Sequence, residues 1–215
     1  FRIAVEQANH LHNAPTASGP TPTRPPEFEK FHKISEALRR MQQDNGIDMV
    51  VANDRLALEF VSERIPEDQR RGIRQAFGLS SHGSVAVLTT NPGSLRDQNT
   101  IYLQTRSIMG ILFFLSHNVE VPEADIRKGL VTVTKYPDGT LFDWDRVSGD
   151  LLKVKSSASP PAGDFVKIKY RGSWFYIQDN DLESKSTFML LNQLFSLQAG
   201  DIKKATPFLT IPVGR

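Results

Sequence analysis

Cysteine is missing from all 215 residues, and with it go disulfides, thiolate-held zinc, iron–sulfur clusters and cysteine nucleophiles. The compartment stays open, since a cysteine-free chain suits cytoplasm and periplasm alike. Long apolar runs are missing too. The longest, Ile108 to Leu115, is interrupted by Gly110 and falls far short of the roughly 20 residues that a membrane-spanning helix needs. There is no excess of one charge: 26 basic side chains face 24 acidic ones, for a net charge of +2. So even a balance does not build the single-sign field that nucleic-acid binding draws on, and nucleic acid is disfavoured as a partner. Neither glycine-rich phosphate loop, G-x-G-x-x-G or G-x-x-x-x-G-K-S/T, occurs, nor does the nucleophile elbow G-x-S-x-G. No cofactor is expected.

What is there suits a globular protein. The chain is 39% hydrophobic and 23% charged, enough apolar material for a sizeable core. It opens on Phe1 rather than Met, and the expectation is a processed or truncated product whose upstream residues would carry any targeting signal or lipid anchor. Residues 13–26 hold Pro15, Pro20, Pro22, Pro25 and Pro26 among Ser, Thr and Gly, a composition that resists helix and sheet and reads as an extended spacer. The organisation expected is an N-terminal arm and Pro-rich linker over 1–26, then a single α+β domain over 27–215.

The spacing of Phe28, Phe31, Ile34, Leu38 and Met41 predicts an amphipathic helix stopped at Gly46. Ile47 to Ala52 reads as a strand; at Leu56, Leu58 and Phe60 strand and helix both fit, with strand preferred. Pro66 followed by two carboxylates predicts a helix to about Phe77, and Ser84 to Thr90 and Ile101 to Gln104 read as strands. The stretch Arg106 to Ser116 is apolar on nearly every face and predicts a helix at the centre of the core. Pro122 starts another short helix. Leu130 to Phe142 reads as strand, turn and strand, Leu151 to Lys155 as a strand, and Phe165–Tyr170 with Trp174–Ile177 as a hairpin turned at Arg171-Gly172-Ser173. A helix over Ser184 to Leu197 and a closing strand over Phe208 to Val213 complete the pass. Strands and helices come mixed rather than in βαβ repeats, so the expected fold class is α+β: a mainly antiparallel sheet with helices packed on one face.

Chemistry-bearing residues are scattered. Ser81 and His82 share a Ser-rich loop and could supply a Ser–His dyad if an acid came near, although such clusters are more often connectors. Asp145 and Asp181 are candidates for a carboxylate pair if the fold brings them together, while capping and a solvated turn explain each without it. Arg106 and Ser107 open the apolar helix and are an anion-binding candidate, against a plain ion pair and N-cap. His10 and His12 have ligand-like spacing, but no third ligand stands nearby in sequence and no metal site is expected. The hairpin gathers Arg171, Trp174 and Tyr176, the composition of an interface hot spot, against the alternative that both its faces are core.

The segments Thr105-Arg-Ser-Ile-Met-Gly110 and Tyr170-Arg-Gly-Ser-Trp-Phe-Tyr-Ile177, with Asp181 to Leu191, resemble stretches of an uncharacterised bacterial protein family. The likeness, over residues 105–117 and 165–195, implies no activity, ligand or catalytic residue. The functional expectation is a non-catalytic interaction or structural subunit of a larger bacterial assembly, at the cell envelope, with other protein subunits as partners. The alternatives are a small hydrolase-like enzyme and an anion- or nucleic-acid-binding domain.

Overall fold

The structure is a computed structural model that describes residues 1–14, 27–93 and 97–204. The Pro-rich stretch and the closing strand expected over 208–213 lie outside the described residues. By compactness the chain divides into two units, Phe1–Gly149 and Asp150–Arg215, where one was expected. Both are built from antiparallel strands and helices, and the fold class is mixed α+β.

The first unit is organised on a six-stranded sheet of β1 (Val5–Ala8), β2 (Leu11–His12), β3 (Ile47–Ala52), β4 (Arg55–Phe60), β5 (Val85–Thr89) and β6 (Thr100–Thr105). Their order is β2-β1-β6-β5-β4-β3, and every pairing is antiparallel except β5 with β6. The residues assigned to an arm therefore differ from expectation: 1–14 carry two strands, and β1 lies between β2 and β6 rather than outside the fold. The apolar content of β1 is too small to announce a strand. What holds it is Arg106, described below.

Helix α1 (Glu29–Gln43) buries Phe31, Ile34 and Met41 in the core, which also takes Leu11, Phe60, Ile65, Ile73, Phe77 and Ile101. Its end is a Schellman motif. Asn45 takes the left-handed conformation at φ 52°, its N–H donating to Gln42 O at 3.0 Å, while Gly46 N–H donates to Met41 O at 2.7 Å. The residue that turns the chain is thus Asn45. Gly46 is there for a different reason: a Cβ on it would lie 2.5 Å from Cγ1 of the buried Ile65. Helix α2 (Glu67–Ala76) follows Pro66 and ends at Gly78, whose φ is 73°.

Helix α3 (Ile108–Ser116) is capped by Ser107, whose Oγ accepts from Gly110 N–H at 3.1 Å. It departs from the central position expected of it. Ile111, Phe114 and Leu115 are buried, but Met109 is 70% exposed and none of these residues belongs to the main core cluster. A short α4 (Glu123–Arg127) follows. The strand–turn–strand expected over 130–142 is instead a single bridge, Lys135 to Leu141, around a turn in which Asp138 Oδ1 accepts from Thr140. Leu130 and Leu141 are exposed while Thr134 and Phe142 are buried, and among the described residues no neighbouring strand extends the bridge into a sheet. The polypeptide then forms α5 (Asp145–Ser148), which the acidic residues around it had suggested was only a turn.

In the second unit β7 (Lys155–Ser157), β8 (Asp164–Tyr170) and β9 (Ser173–Gln178) form a sheet in the order β7-β9-β8. The strand expected over 151–155 begins only at Lys155. The β8–β9 hairpin closes at Tyr170–Ser173 through Arg171 and Gly172, at φ 49° and 87°, the two positive values that a type I′ turn demands. Helix α6 (Leu182–Lys204) starts from Asp181, whose carboxylate accepts from Ser184 N–H at 3.0 Å and Ser184 Oγ–H at 2.7 Å.

Gly46→Ala is expected to destabilise the protein by roughly 1–3 kcal/mol through overpacking against Ile65. Thermal or urea unfolding checks it, and the double variant Gly46→Ala/Ile65→Val should recover part of the loss.

Candidate functional site

Ser81 and His82 are exposed on the loop between α2 and β5. That loop has a structural occupation: the Arg74 side chain, 0% exposed, donates from Nε to Ser80 O at 2.7 Å, from Nη1 to Val85 O at 3.3 Å and from Nη2 to Asn99 Oδ1 at 2.5 Å. Gly83, at φ 117°, passes over the same guanidinium. The loop wraps an arginine, and His82 N–H donates to Ser80 Oγ at 3.4 Å. Asp145 opens α5 in the first unit and meets Asn118 Nδ2 at 3.5 Å, whereas Asp181 caps α6 in the second.

Arg106 is 7% exposed. Its Nη1 donates to the carbonyls of Arg2, Ile3 and Val5 at 3.4, 3.2 and 2.8 Å, and its Nη2 to Asn13 O at 2.6 Å. The guanidinium carbon lies 4.1 Å from the centre of the Phe114 ring, a desolvated cation–π contact. Burial lowers its pKa to about 10, against the opposing pull of Glu6, so the group stays charged at neutral pH. Ser107 is the N-cap of α3, and the guanidinium of Arg106 donates to backbone carbonyls.

His10 and His12 flank Leu11 on β2, and both line a cleft of about 370 Å³ with Glu29, Lys30, Tyr136, Phe142 and Arg146. Arg146 donates to Glu29 Oε1 at 3.1 Å and to Tyr136 Oη at 3.3 Å. Only the histidines of this cleft were legible beforehand; Glu29, Tyr136 and Arg146 are far apart in sequence and carry no motif. Among the described residues no group of three His, Asp or Glu side chains is placed to hold a metal ion.

Behind that cleft runs a chain of rings. Phe28 meets Phe142 edge-on at 6.4 Å, Phe142 meets Trp144 at 5.0 Å, and Trp144 lies 4.0 Å from His117, which in turn meets Phe113 at 5.1 Å. His117 Nδ1 lies 3.2 Å from Phe114 O and its Nε2 is buried with no hydrogen-bond partner. Desolvation therefore holds its pKa below the usual histidine value, with the Phe114 and Phe113 carbonyls pulling the other way.

Two surfaces remain that expose what soluble proteins usually hide. The first is the β3–β4 hairpin. Cross-strand partners share a face of a sheet, so the register places Ile47 beside Phe60, Met49 beside Leu58 and Val51 beside Leu56 in one stripe. Phe60 is fully buried at its root, while Met49, Leu56 and Val51 are 58%, 49% and 74% exposed. The second is the sheet face of the second unit that carries Trp174 and Tyr176. Both rings are half-buried, Lys169 Nζ lies 5.9 Å from the Trp174 ring centre, and Arg171 is exposed at the turn. On the opposite face Ile177 is buried while Ile168 and Tyr170 are exposed, and Phe165, at the bulge of β8, meets Phe188 of α6 at 6.0 Å.

Comparison with known proteins finds no matching family model, curated protein or solved structure.

The lowered pKa of His117 has a definite sign. Above about pH 7 folded and unfolded states are both neutral at this side chain. As pH falls through the ordinary histidine value the unfolded chain binds a proton that the folded one resists, and stability declines by up to about 1.4 kcal/mol per pH unit until the folded value is reached. Urea unfolding from pH 7.5 down to 5 should show this decline, and in His117→Phe the slope should be shallower whatever the variant's absolute stability.

Proposed function

We propose that this chain is a non-catalytic interaction subunit that works through contact surfaces. The observation that supports it most is the outer strand of the first sheet. β3 is six residues long, carries neither Pro nor Lys, and has no further strand paired to it among the described residues. Proteins normally blunt such an edge with charge, proline, a bulge or a covering segment. Here the side chains near its tip are apolar and exposed. An exposed edge of this kind receives an extended segment of a partner protein, with main-chain hydrogen bonds giving affinity and alternate side chains giving selection.

The chemistry of that segment follows from the two faces of the hairpin. On one, apolar side chains would continue the stripe of Met49, Val51 and Leu56. On the other, Asp48 stands directly opposite Glu59, a like-charge pair that costs stability in an unaccompanied hairpin. A basic side chain arriving beside Asp48 offsets that cost, so the partner segment alternates apolar and basic residues. The second contact surface is the hairpin face of Arg171, Trp174 and Tyr176. The partners at the β3 edge are other protein subunits of a larger assembly, and the described residues include no helix long and apolar enough to cross a membrane.

Met49→Lys/Val51→Lys leaves the core untouched and places two charges on the edge. Affinity capture of the tagged full chain from its own cells should recover a stoichiometric partner with the wild type and lose it with the double variant, while circular dichroism stays unchanged. Equal recovery by both, or no partner with either and a monomer by light scattering, overturns the edge reading.

A further inference from the structure

We propose that the Trp174 and Tyr176 face of the second unit's sheet binds single-stranded nucleic acid. The proposal rests on the reading of that face as a contact surface and assigns its ligand class.

The register carries the argument. Tyr176, on the central strand β9, stands between Lys155 of β7 and Lys167 of β8; two residues back, Trp174 stands between Ser157 and Lys169. Cross-strand partners share a face, so each ring lies in a row with at least one lysine beside it. The two rows are about 7 Å apart along the strand, a spacing that an extended single strand covers from one base to the next. Stacking rings on a central strand with cations on the strands beside it is the arrangement that sheet platforms use to hold unpaired bases and follow their phosphates. A duplex cannot use it, because its bases are already stacked on one another.

Two further observations point the same way. Lys167 and Lys169, which share the face of the two half-buried rings, are exposed. Charge is also unevenly divided: the segment Asp150–Arg215 holds nine Lys and Arg against six Asp and Glu, an excess that the whole-chain balance conceals. Of the acids near the face, Asp164 meets Lys167 at 3.4 Å and Asp179 meets Lys185 at 2.7 Å. An acidic peptide would use the lysines and leave the paired rings idle, which is why the nucleic acid is favoured.

The chain has two tryptophans, Trp144 and Trp174, so Trp144→Phe leaves Trp174 as the sole reporter. Purified full-length protein carrying that substitution is titrated with oligo(dT) and oligo(U) of about 12 nucleotides, within the usual site size, at several salt concentrations. The expected result is quenching of Trp174 fluorescence with affinity that falls as salt rises. Trp174→Ala, followed by anisotropy of a labelled oligonucleotide, should weaken binding by about tenfold or more. Lys155→Gln/Lys169→Gln, which leaves both rings in place, should weaken it and reduce the salt slope by roughly 1.4; circular dichroism verifies folding of each variant. Absence of binding at low salt, binding without quenching, or competition by poly-glutamate as effective as by oligonucleotide would each overturn the proposal. If oligonucleotide fails to bind but Trp174→Ala loses a protein captured by the wild type, the face is a protein contact and only the ligand class falls. If Trp174→Ala changes neither, the contact-surface reading falls with it.

Discussion

A guanidinium buried among backbone carbonyls decides the shape of the first unit. Arg106 collects four oxygens from Arg2, Ile3, Val5 and Asn13, and its own N–H donates to Ala4 O at 2.7 Å. Asn13 works with it, its Nδ2 donating to Arg2 O and Val5 O at 2.5 and 2.7 Å. A buried charge with no partner would be prohibitive, but one whose Nη groups donate to four carbonyls and whose flat side rests on Phe114 is tolerated, even with its Nε buried and unpartnered. The consequence is topological. β1 has too few apolar side chains to claim a place between β2 and β6, so the arginine holds it there. It also stands between the end of β6 and the Ser107 N-cap of α3.

The same device recurs at Arg74, which gathers the α2–β5 loop onto Ser80 O, Val85 O and Asn99 Oδ1. In both places irregular backbone that would otherwise leave carbonyls unmet is satisfied from one point by a planar, many-donor cation. Neither guanidinium rests on a carboxylate, so the loops they hold do not depend on a second titratable group. Ser81 and His82 stand on the loop that covers Arg74, and both Nη groups of Arg106 donate to backbone carbonyls.

Much of the fold was legible because local physics and tertiary context agree. The 3-and-4 spacing of α1, the Pro66 start of α2, the apolar run of β3 and the Arg171-Gly172 turn each need only their own residues, and each is present at nearly the expected limits. Where context decides, legibility ended. Residues 1–14 become strands through Arg106, a partner about a hundred positions away. Leu130 to Phe142 alternates like a strand but has no sheet to join. α3 looked central because it is apolar all round, yet Met109 faces outward; composition reports what a helix could bury, and neighbours determine what it does. Candidate sites fared similarly. Asp181 and Ser107 were readable as caps, since capping is local, whereas Glu29, Tyr136 and Arg146 converge on the histidine cleft through long-range folding alone.

Net charge has the same weakness as any whole-chain average. A value of +2 says that no global field exists, and it says nothing about a face a few residues across. Contact within a Debye length is governed by the charges that share a surface, because those farther away are screened. In the second unit those are lysines placed by cross-strand register beside aromatic rings, an arrangement set by pairing Lys155, Tyr176 and Lys167 rather than by composition. The first unit shows the converse at β3, where pairing puts Asp48 against Glu59 beneath an apolar stripe. In a sheet protein register, more than composition, determines which side chains meet, and both proposed contact surfaces are consequences of two hairpins closing where they do: one at Asn53-Asp54, with both φ positive, and one at Arg171-Gly172. A turn shifted by one residue would exchange the faces of its strands and remove the surface altogether.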